Sequence, residues 1–161
     1  MLVGLMTDTH ENLDNIKKAV DIFNKKGVAL VLHCGDIISP ITYSAFKDLK
    51  CSIRFVFGNN DGERPFLISK FQGLGEFFNN GYKFELEDKK FIMMHEPVGI
   101  DELASSGNYD YVLYGHTHKQ DIRNIGDTMI INIGETSGIL TGTASVGVLD
   151  VKNKKLEIIN L

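Results

Sequence analysis

Two imidazole side chains follow a short apolar run in the last third of the chain. His116 and His118 come directly after residues 111–115 (YVLYG), a run typical of a buried strand that stops at a glycine. Residues two apart in extended backbone point to the same side, so the two rings are predicted to converge just beyond the strand. Such convergence indicates a metal site. A His-x-His pair alone is equally well explained as a polar loop that binds nothing.

The same pattern, in which polar side chains follow an apolar run, recurs at four other places. The side chains concerned are Asp8 and His10 after residues 1–6, Asp36 after residues 28–32, Asn59 after residues 52–57, and His95 after residues 91–94. Ligands of open α/β sheets bind in the crevice outside the carboxyl ends of the strands. We therefore expect seven potential metal ligands, including four of the five histidines, in one crevice. The fifth histidine, His33, is interpreted as a hydrogen-bonded core residue.

Seven side chains are too many ligands for one tetrahedral zinc ion. Their mixture of imidazole, carboxylate and amide groups fits two divalent ions that share a bridging carboxylate. Two ions about 3.5–4 Å apart favour hydrolysis, because they lower the pKa of a shared water and neutralise charge on a phosphoryl group.

Apolar periodicity predicts the elements that position these residues. Residues 13–23 carry apolar side chains on one helical face, between an N-cap at Asn12 and a stop at Gly27. A second helix is predicted over residues 37–49, and a short helix followed by a turn over residues 63–80. The front half of the chain therefore alternates strand and helix as βαβαβ.

The back half is predicted to consist mostly of hairpins, with a short helix just before the run that opens at residue 111. Strands are predicted at residues 82–86, 91–94, 121–125, 128–133, 144–150 and 156–161. We expect an α/β fold in a single domain, residues 1–161, because this length buries one sizeable core and leaves too little chain for a second.

Composition excludes several classes of partner. A formal net charge of −4, without a local basic patch, argues against general affinity for nucleic acid or anionic membranes. Two cysteines, Cys34 and Cys51, are too few for a disulfide framework and fit a reducing compartment. The first residues lack the basic segment of a signal peptide, so a cytoplasmic location is expected. Homo-oligomer formation is left open.

Taken together, the five polar blocks resemble the calcineurin-like metallophosphoesterases, whose motifs are Asp-x-His, Gly-Asp, Gly-Asn-x-[Asp/Glu], His and Gly-His-x-His. The matching segments, in the same order, are residues 8–10 (DTH), 35–36 (GD), 58–61 (GNND), His95 and residues 115–118 (GHTH). Each motif alone is weak, whereas the ordered set is specific. The length is similar to that of the small archaeal and bacterial phosphodiesterases of the superfamily.

The resemblance implies a fold and a ligand set. The fold is two packed mixed β-sheets flanked by helices, a four-layer αββα sandwich. One metal ion would be held by Asp8, His10, Asp36 and His118, and the second by Asp36, Asn59, His95 and His116, with Asp36 bridging. A hydroxide that bridges the ions would attack phosphorus in line. Residues 132–135 (NIGE) resemble a turn of these proteins and are interpreted as structural.

Manganese or nickel is the expected cofactor, with iron, cobalt or zinc as alternatives, because magnesium prefers an all-oxygen ligand set. The expected substrate is a small phosphodiester. We assign Asn60 and Asp61 to the catalytic group and Arg64 and Glu96 to substrate binding. Arg64 is also compatible with a solvated surface position, and Glu96 with a side chain that points into solvent.

Two positions depart from better-known members of the superfamily. Asn60 stands where phosphoprotein phosphatases and repair nucleases have a histidine that helps protonate the leaving group, and Glu96-Pro97 stands where many relatives have Gly-His. Asn60 cannot donate a proton near pH 7. Glu96 adds negative charge, which disfavours a doubly charged monoester more than a diester.

Two other functions remain as alternatives. The retromer subunit that shares this fold is a non-catalytic, protein-binding scaffold with an altered metal site, and fold alone does not imply activity. This chain retains a metal-binding side chain at every expected position, which favours a hydrolase. A purely structural metal is disfavoured, because such sites are closed and usually rich in cysteine.

Overall fold

The apolar runs of the front half form adjacent parallel strands. The computed structural model describes residues 1–161, and strands β1 (Leu2–Met6), β2 (Leu30–His33) and β3 (Ser52–Val56) pair side by side. Helix α1 (Leu13–Lys26) connects the first two strands. Its N-cap is Asn12, whose side chain accepts a hydrogen bond from the backbone of Asn15, and it ends at Gly27 in left-handed conformation.

Two mixed sheets result from the full set of strands. The remaining elements are a 3₁₀ helix (Pro40–Thr42), α2 (Tyr43–Phe46), α3 (Arg64–Lys70), β4 (Gly75–Phe78), β5 (Tyr82–Leu86), β6 (Lys89–Met93), α4 (Ile100–Ser105), β7 (Tyr111–Leu113), β8 (Gln120–Ile125), β9 (Thr128–Ile133), β10 (Ser145–Asp150) and β11 (Lys155–Asn160). The first sheet has the order β11-β10-β1-β2-β3-β4, and the second has the order β5-β6-β7-β9-β8.

Three apolar clusters define four layers. The first packs α1, α2 and α3 against the outer face of the first sheet, with Phe23, Phe46 and Phe71 among its fully buried side chains. The second lies between the two sheets and includes Leu32 and Tyr111. The third packs α4 against the second sheet. The predicted αββα sandwich of two mixed sheets is therefore confirmed.

Two predictions of local structure were wrong. Residues 37–49 form only a short 3₁₀ helix and the four-residue helix α2, and Ile41 is exposed rather than on the buried face. Asp36 and Ile38 have positive φ, so the chain bends before a helix can begin. Strand β4 was also not predicted. It extends the first sheet by pairing in parallel with β3.

The longest helix, α1, has 14 residues. No helix combines the length and the apolar character needed to cross a bilayer.

Candidate metal centre

The carboxyl ends of five strands in the two sheets meet at one edge of the sandwich, and the loops that follow them carry all seven predicted ligands. Backbone hydrogen bonds connect these loops within each sheet, and the N–H of His116 donates to Asp8 Oδ2 at 3.0 Å between the sheets. The N–H of Asp8 donates to the Gly35 carbonyl at 3.0 Å, and the N–H of Gly115 donates to the His95 carbonyl at 3.1 Å. The loops therefore form one connected framework beneath the side chains.

Five of the seven predicted ligands have left-handed backbone conformations. Their φ values are 50° for Asp8, 40° for His10, 58° for Asp36, 67° for His116 and 58° for His118. Residues other than glycine rarely adopt this backbone conformation, although Asp and His tolerate it better than most. Such strained residues cluster at functional sites, because the surrounding structure must hold them in place.

The first group of ligand atoms surrounds Asp8 at the end of β1. Nε2 of His118 lies 3.4 Å from Asp8 Oδ1, and Nε2 of His10 lies 3.9 Å from the same oxygen. Nε2 of His10 is also 3.4 Å from Asp36 Oδ2. One carboxylate oxygen and two imidazole nitrogens thus face a common point, with Asp36 beside it.

The second group surrounds Asn59 at the end of β3. Its Oδ1 atom lies 2.9 Å from His95 Nε2 and 2.9 Å from His116 Nδ1. Nε2 of His95 is 3.5 Å from Asp36 Oδ2. Asp36 Oδ2 therefore faces both groups.

His116 and His118 belong to different groups. The prediction that their rings converge on one point, based on extended backbone, was wrong, because both residues have positive φ. His116 is directed toward Asn59 and His118 toward Asp8. The ligand assignment implied by the resemblance also places His116 and His118 at different ions, and it stays a prediction.

The unpaired polar atoms of the centre fit a cation. Asp8 Oδ1 and His10 Nε2 are buried and have no hydrogen-bond partner in the protein, although buried polar groups are normally paired. Ligand atoms from Asp8, His10 and His118 lie within 4.8 Å of one another, as do those from Asp8, Asp36 and His95. The donor set of imidazole nitrogens and carboxylate oxygens suits a borderline transition metal.

Hydrogen bonds to the far sides of two rings set their tautomers. Nδ1 of His95 lies 2.7 Å from the Cys34 carbonyl, which can only accept, so Nδ1 carries the proton. Nδ1 of His118 lies 2.7 Å from Oε2 of Glu135. In the neutral form of either ring, Nε2 is then the nitrogen that is left to bind a cation.

Two glycines of the motifs are required by close packing. A Cβ atom at Gly58 would overlap Asp36 Oδ1 and lie 2.4 Å from the backbone nitrogen of Asp36. A Cβ atom at Gly115 would overlap Thr7 Oγ1 and lie 2.8 Å from Asp8 Oδ2. Glycine before Asn59 and His116 therefore allows the loops to approach the two carboxylates.

Charge interactions within the centre shift several pKa values. Burial raises the pKa of Asp8, against a hydrogen bond from Thr7 that lowers it. Burial also opposes ionisation of Asp36, but His95 and the two donors of Asn60 outweigh it and hold the pKa of Asp36 well below its usual range. Burial lowers the pKa of His95, and the nearby Asp36 carboxylate reverses this and raises it. Asp36 is therefore ionised at neutral pH.

The structure places both residues that follow Asn59 against Asp36. Asn60 donates its backbone N–H to Asp36 Oδ1 at 2.9 Å and its side-chain amide to Asp36 Oδ2 at 2.7 Å. Asp61 accepts backbone N–H groups from Asp36, Ile38 and Gly58 at 3.2, 2.7 and 2.7 Å. Asp61 thus connects the loop after β2 to the loop after β3.

Arg64 and Glu96 line a cavity of about 310 Å³ beside Asn59 and His95. The Arg64 guanidinium stacks on the Phe57 ring, 4.6 Å from its centroid, and donates to the Gly58 carbonyl at 3.2 Å. Arg64 is thereby held at the cavity wall although it is exposed. Glu96 is exposed at the rim. The helix that follows begins at Ile100.

His33 lies outside the centre. Its ring is fully buried, Nδ1 accepts the Gly35 N–H at 3.1 Å, and Nε2 faces Thr9 Oγ1 at 3.1 Å. The interpretation of His33 as a hydrogen-bonded core residue is therefore confirmed. Sequence reasoning did not identify the contact of Glu135 with His118. The only signal was the acidic residue of the turn at residues 132–135.

Comparisons with known proteins agree with this geometry. The sequence profile of the calcineurin-like phosphoesterase superfamily domain matches residues 1–154. A phosphodiesterase from Methanocaldococcus jannaschii is 40% identical over 159 residues, which are 96% of this chain and 96% of the relative. The solved structure of an archaeal phosphodiesterase has a TM-score of 0.94 at 37% identity and covers 100% of both chains. Vps29 from Entamoeba histolytica, solved with zinc, has a TM-score of 0.72 at 20% identity, with 99% of each chain covered, and shares the fold.

Proposed function

The chain belongs to the calcineurin-like phosphoesterase superfamily, and we propose that it is a phosphodiesterase that depends on two divalent metal ions. The observation that carries the proposal is the position of Asp36 Oδ2, which lies 3.4 Å from His10 Nε2 and 3.5 Å from His95 Nε2. One carboxylate oxygen beside two groups of candidate nitrogen ligands is placed to contact two neighbouring ions.

The ligands are assigned to two sites. Asp8, His10, Asp36 and His118 would hold the first ion. The second ion would be held by Asp36, Asn59, His95 and His116. Manganese or nickel suits this donor set best, and iron, cobalt or zinc also fits it. Bound ions would supply an ionised water near neutral pH and offset the charge of a phosphoryl group.

The chain's own residues have separate tasks in this proposal. Asp36 carries the negative charge between the sites. Asn60 and Asp61 act by position, because Asn60 donates twice to the Asp36 carboxylate and Asp61 holds the backbone of Asp36. Arg64 borders the cavity next to Asn59 and His95, and its fixed guanidinium supports a contact with a substrate oxygen.

A diester is the proposed substrate class. No imidazole follows Asn59, so the leaving oxygen receives less help from protonation and good leaving groups should react best. Glu96 places a negative charge at the cavity rim, where it repels a monoester more than a diester. The similarity in sequence and in structure to archaeal phosphodiesterase supports the same substrate class.

Metal analysis combined with an activity screen tests the proposal. Purified protein is analysed for its elements, stripped with a chelator, and reloaded with Mn²⁺, Ni²⁺, Zn²⁺ or Mg²⁺. Aryl phosphodiesters, the matching monoesters and nucleotides serve as substrates. We expect two ions per chain, activity lost on chelation, and recovery with Mn²⁺ or Ni²⁺ but only poorly with Mg²⁺. Undiminished turnover after exhaustive chelation would rule out the metal-dependent reaction.

A protein-binding scaffold without catalysis is the second candidate function. The similarity to Vps29 concerns the fold alone and carries no argument for activity or for its absence. The seven ligand positions of this chain all hold side chains able to bind metal, which favours the enzyme. Two bound ions with no turnover of any ester in the screen would favour the scaffold.

A further inference from the structure

Glu135, two residues after the end of β9, is a fully buried carboxylate that contacts a candidate metal ligand. Its Oε2 atom lies 2.7 Å from Nδ1 of His118. It lies in a turn that the sequence indicates is structural. A buried carboxylate is costly unless it is fully hydrogen-bonded, so its other partners decide which role the geometry supports.

The remaining hydrogen-bonding capacity of Glu135 is used by its own loop. Oε1 accepts the backbone N–H of Thr141 at 2.6 Å and its hydroxyl at 2.7 Å, and the N–H of Leu140 at 3.0 Å. Oε2 accepts the Ser137 hydroxyl at 2.8 Å. The carboxylate cannot rotate away from His118 without losing several of these hydrogen bonds. The carboxylate is therefore fixed before any ligand binds.

The arrangement also fixes the proton on His118. All other contacts of Glu135 are donors to it, so the carboxylate accepts and Nδ1 of His118 donates. Nε2 then presents a lone pair beside Asp8 Oδ1, at 3.4 Å. An imidazole that donates to a carboxylate is a stronger metal ligand than one that donates to a neutral carbonyl, which is the partner of His95.

We propose that Glu135 is a positioning residue that holds the His118 ring and its tautomer so that Nε2 binds the first metal ion. This inference rests on the proposed function, because it takes His118 as a ligand. It also predicts that the two metal sites differ in their sensitivity to loss of Glu135. Loss of Glu135 should weaken the site formed around Asp8 and spare the site formed around Asn59.

Manganese titration of the stripped protein tests the inference. The variants are Glu135→Gln, which keeps the shape of the side chain but removes its charge, and His118→Ala, which marks the first site. We expect Glu135→Gln to lower the affinity for one of the two ions about 10- to 100-fold. This should be the same ion that His118→Ala removes, and the affinity of the other ion should be unchanged.

Thr141→Val is the matched control, because it removes one donor to Glu135 from the loop side and does not touch His118. If the role of Glu135 is merely structural, Glu135→Gln and Thr141→Val should both lower thermal stability and leave both Mn²⁺ affinities unchanged. That result, with two ions bound to the wild type, would overturn the inference and leave the two-metal proposal intact. If the wild type binds one ion or none and His118→Ala changes nothing, both proposals fail.

The wild-type protein provides a second measurement that needs no variant. Nitrogen NMR of the metal-free protein labelled at its histidines should show His118 protonated at Nδ1. The same spectrum of metal-loaded protein should show Nδ1 still protonated and the Nε2 resonance shifted by a diamagnetic ion such as Zn²⁺. An unprotonated Nδ1 in the metal-free protein would contradict the inference even if Glu135→Gln fails to fold.

Discussion

Oδ2 of Asp36 lies 3.5 Å from Nε2 of His95 and 3.4 Å from Nε2 of His10, so one atom faces both groups of candidate nitrogen ligands. We expect Asp36→Asn to bind one ion fewer per chain, because an amide does not offset the charge of either ion. Catalytic rate should fall about 100-fold or more. Elemental analysis and kcat at saturating Mn²⁺ measure the two effects.

Asp14→Asn is the control for this substitution, since Asp14 is exposed in the first turn of α1. It should retain both ions and full activity. Two ions bound with normal affinity to Asp36→Asn would mean that Asp36 does not bridge.

Gly58→Ala should displace the Asp36 carboxylate through steric overlap. The added Cβ would overlap Asp36 Oδ1, and the neighbouring contact is backbone, which cannot move aside cheaply. We expect a loss of about 1–3 kcal/mol of unfolding free energy, together with weaker metal binding. Denaturant titration and Mn²⁺ titration measure these changes.

Gly62→Ala provides a control four residues away, because a Cβ there meets nothing within 4 Å. Its unfolding free energy should stay within about 0.5 kcal/mol of the wild type. Equal effects of the two substitutions would remove the steric explanation.

The sequence was sufficient for the buried strands that are continuous apolar runs. Residues 1–6 and 28–32 are continuous apolar runs, as expected of strands covered on both faces, and they form β1 and β2. The ends of such strands meet at one edge, so the positions of Asp8 and Asp36 in one crevice followed from topology. The family motifs then predicted which of the candidate ligands share an ion.

Features set by tertiary contacts could not be predicted in this way. Strand β4 carries no alternating pattern, and it forms because it pairs with β3 at the sheet edge. The left-handed backbone of His116 and His118 depends on hydrogen bonds to distant loops, for example from the His116 N–H to Asp8 Oδ2 at 3.0 Å. No local period encodes such contacts.

Burial and hydrogen bonding of His33 predict a pH dependence of stability. Burial, helped by the nearby charge of His95, lowers the pKa of His33 to about 3 in the folded protein, against an unfolded value of about 6.5. The unfolded chain therefore binds one more proton between these pH values. The stability that depends on neutral His33 is therefore fully present above about pH 6.5. Below this pH the free energy of unfolding falls by about 1.4 kcal/mol per pH unit.

His33→Asn tests this expectation, because Asn Oδ1 can accept the Gly35 N–H in place of Nδ1. We expect the variant to be less stable than the wild type at pH 7.5 and to lose less stability when the pH falls to 5. Denaturant unfolding of both proteins at the two values gives the difference. Parallel pH profiles would show that His33 does not titrate in this window.

Arg64→Ala should raise KM about 10-fold. The wild-type guanidinium is held on Phe57 at the wall of the cavity, and its hydrogen bond to a charged substrate oxygen would contribute about 1.5–3 kcal/mol. Arg54→Ala is the control, since Arg54 stacks on Phe84 away from the ligands. An unchanged KM in Arg64→Ala would assign Arg64 to the solvated surface.

The last prediction concerns the choice between diesters and monoesters. Glu96 lies at the rim of the cavity that His95 and Asn59 border, so its charge should repel a phosphomonoester with almost two charges more than a diester with one. We expect the wild type to prefer an aryl diester over the matching monoester in kcat/KM. Glu96→Gln should narrow this ratio, chiefly by improving the monoester. An unchanged ratio would remove only the electrostatic explanation, whereas a wild-type preference for the monoester would contradict the proposed substrate class.

Asn60→His separates leaving-group protonation from this charge effect. Asn60 now donates to Asp36 Oδ2 at 2.7 Å and offers no proton to a departing oxygen near pH 7. An imidazole at this position should raise the rate mainly for diesters with basic leaving groups, because general-acid catalysis helps most there. A series of diesters whose leaving groups span several pKa units measures this as a shallower dependence of log kcat/KM on leaving-group pKa. The series is compared with the wild type at equal metal loading, since Asn60 also contacts the Asp36 carboxylate. An identical slope in both proteins would show that the residue after Asn59 does not limit departure of the leaving group.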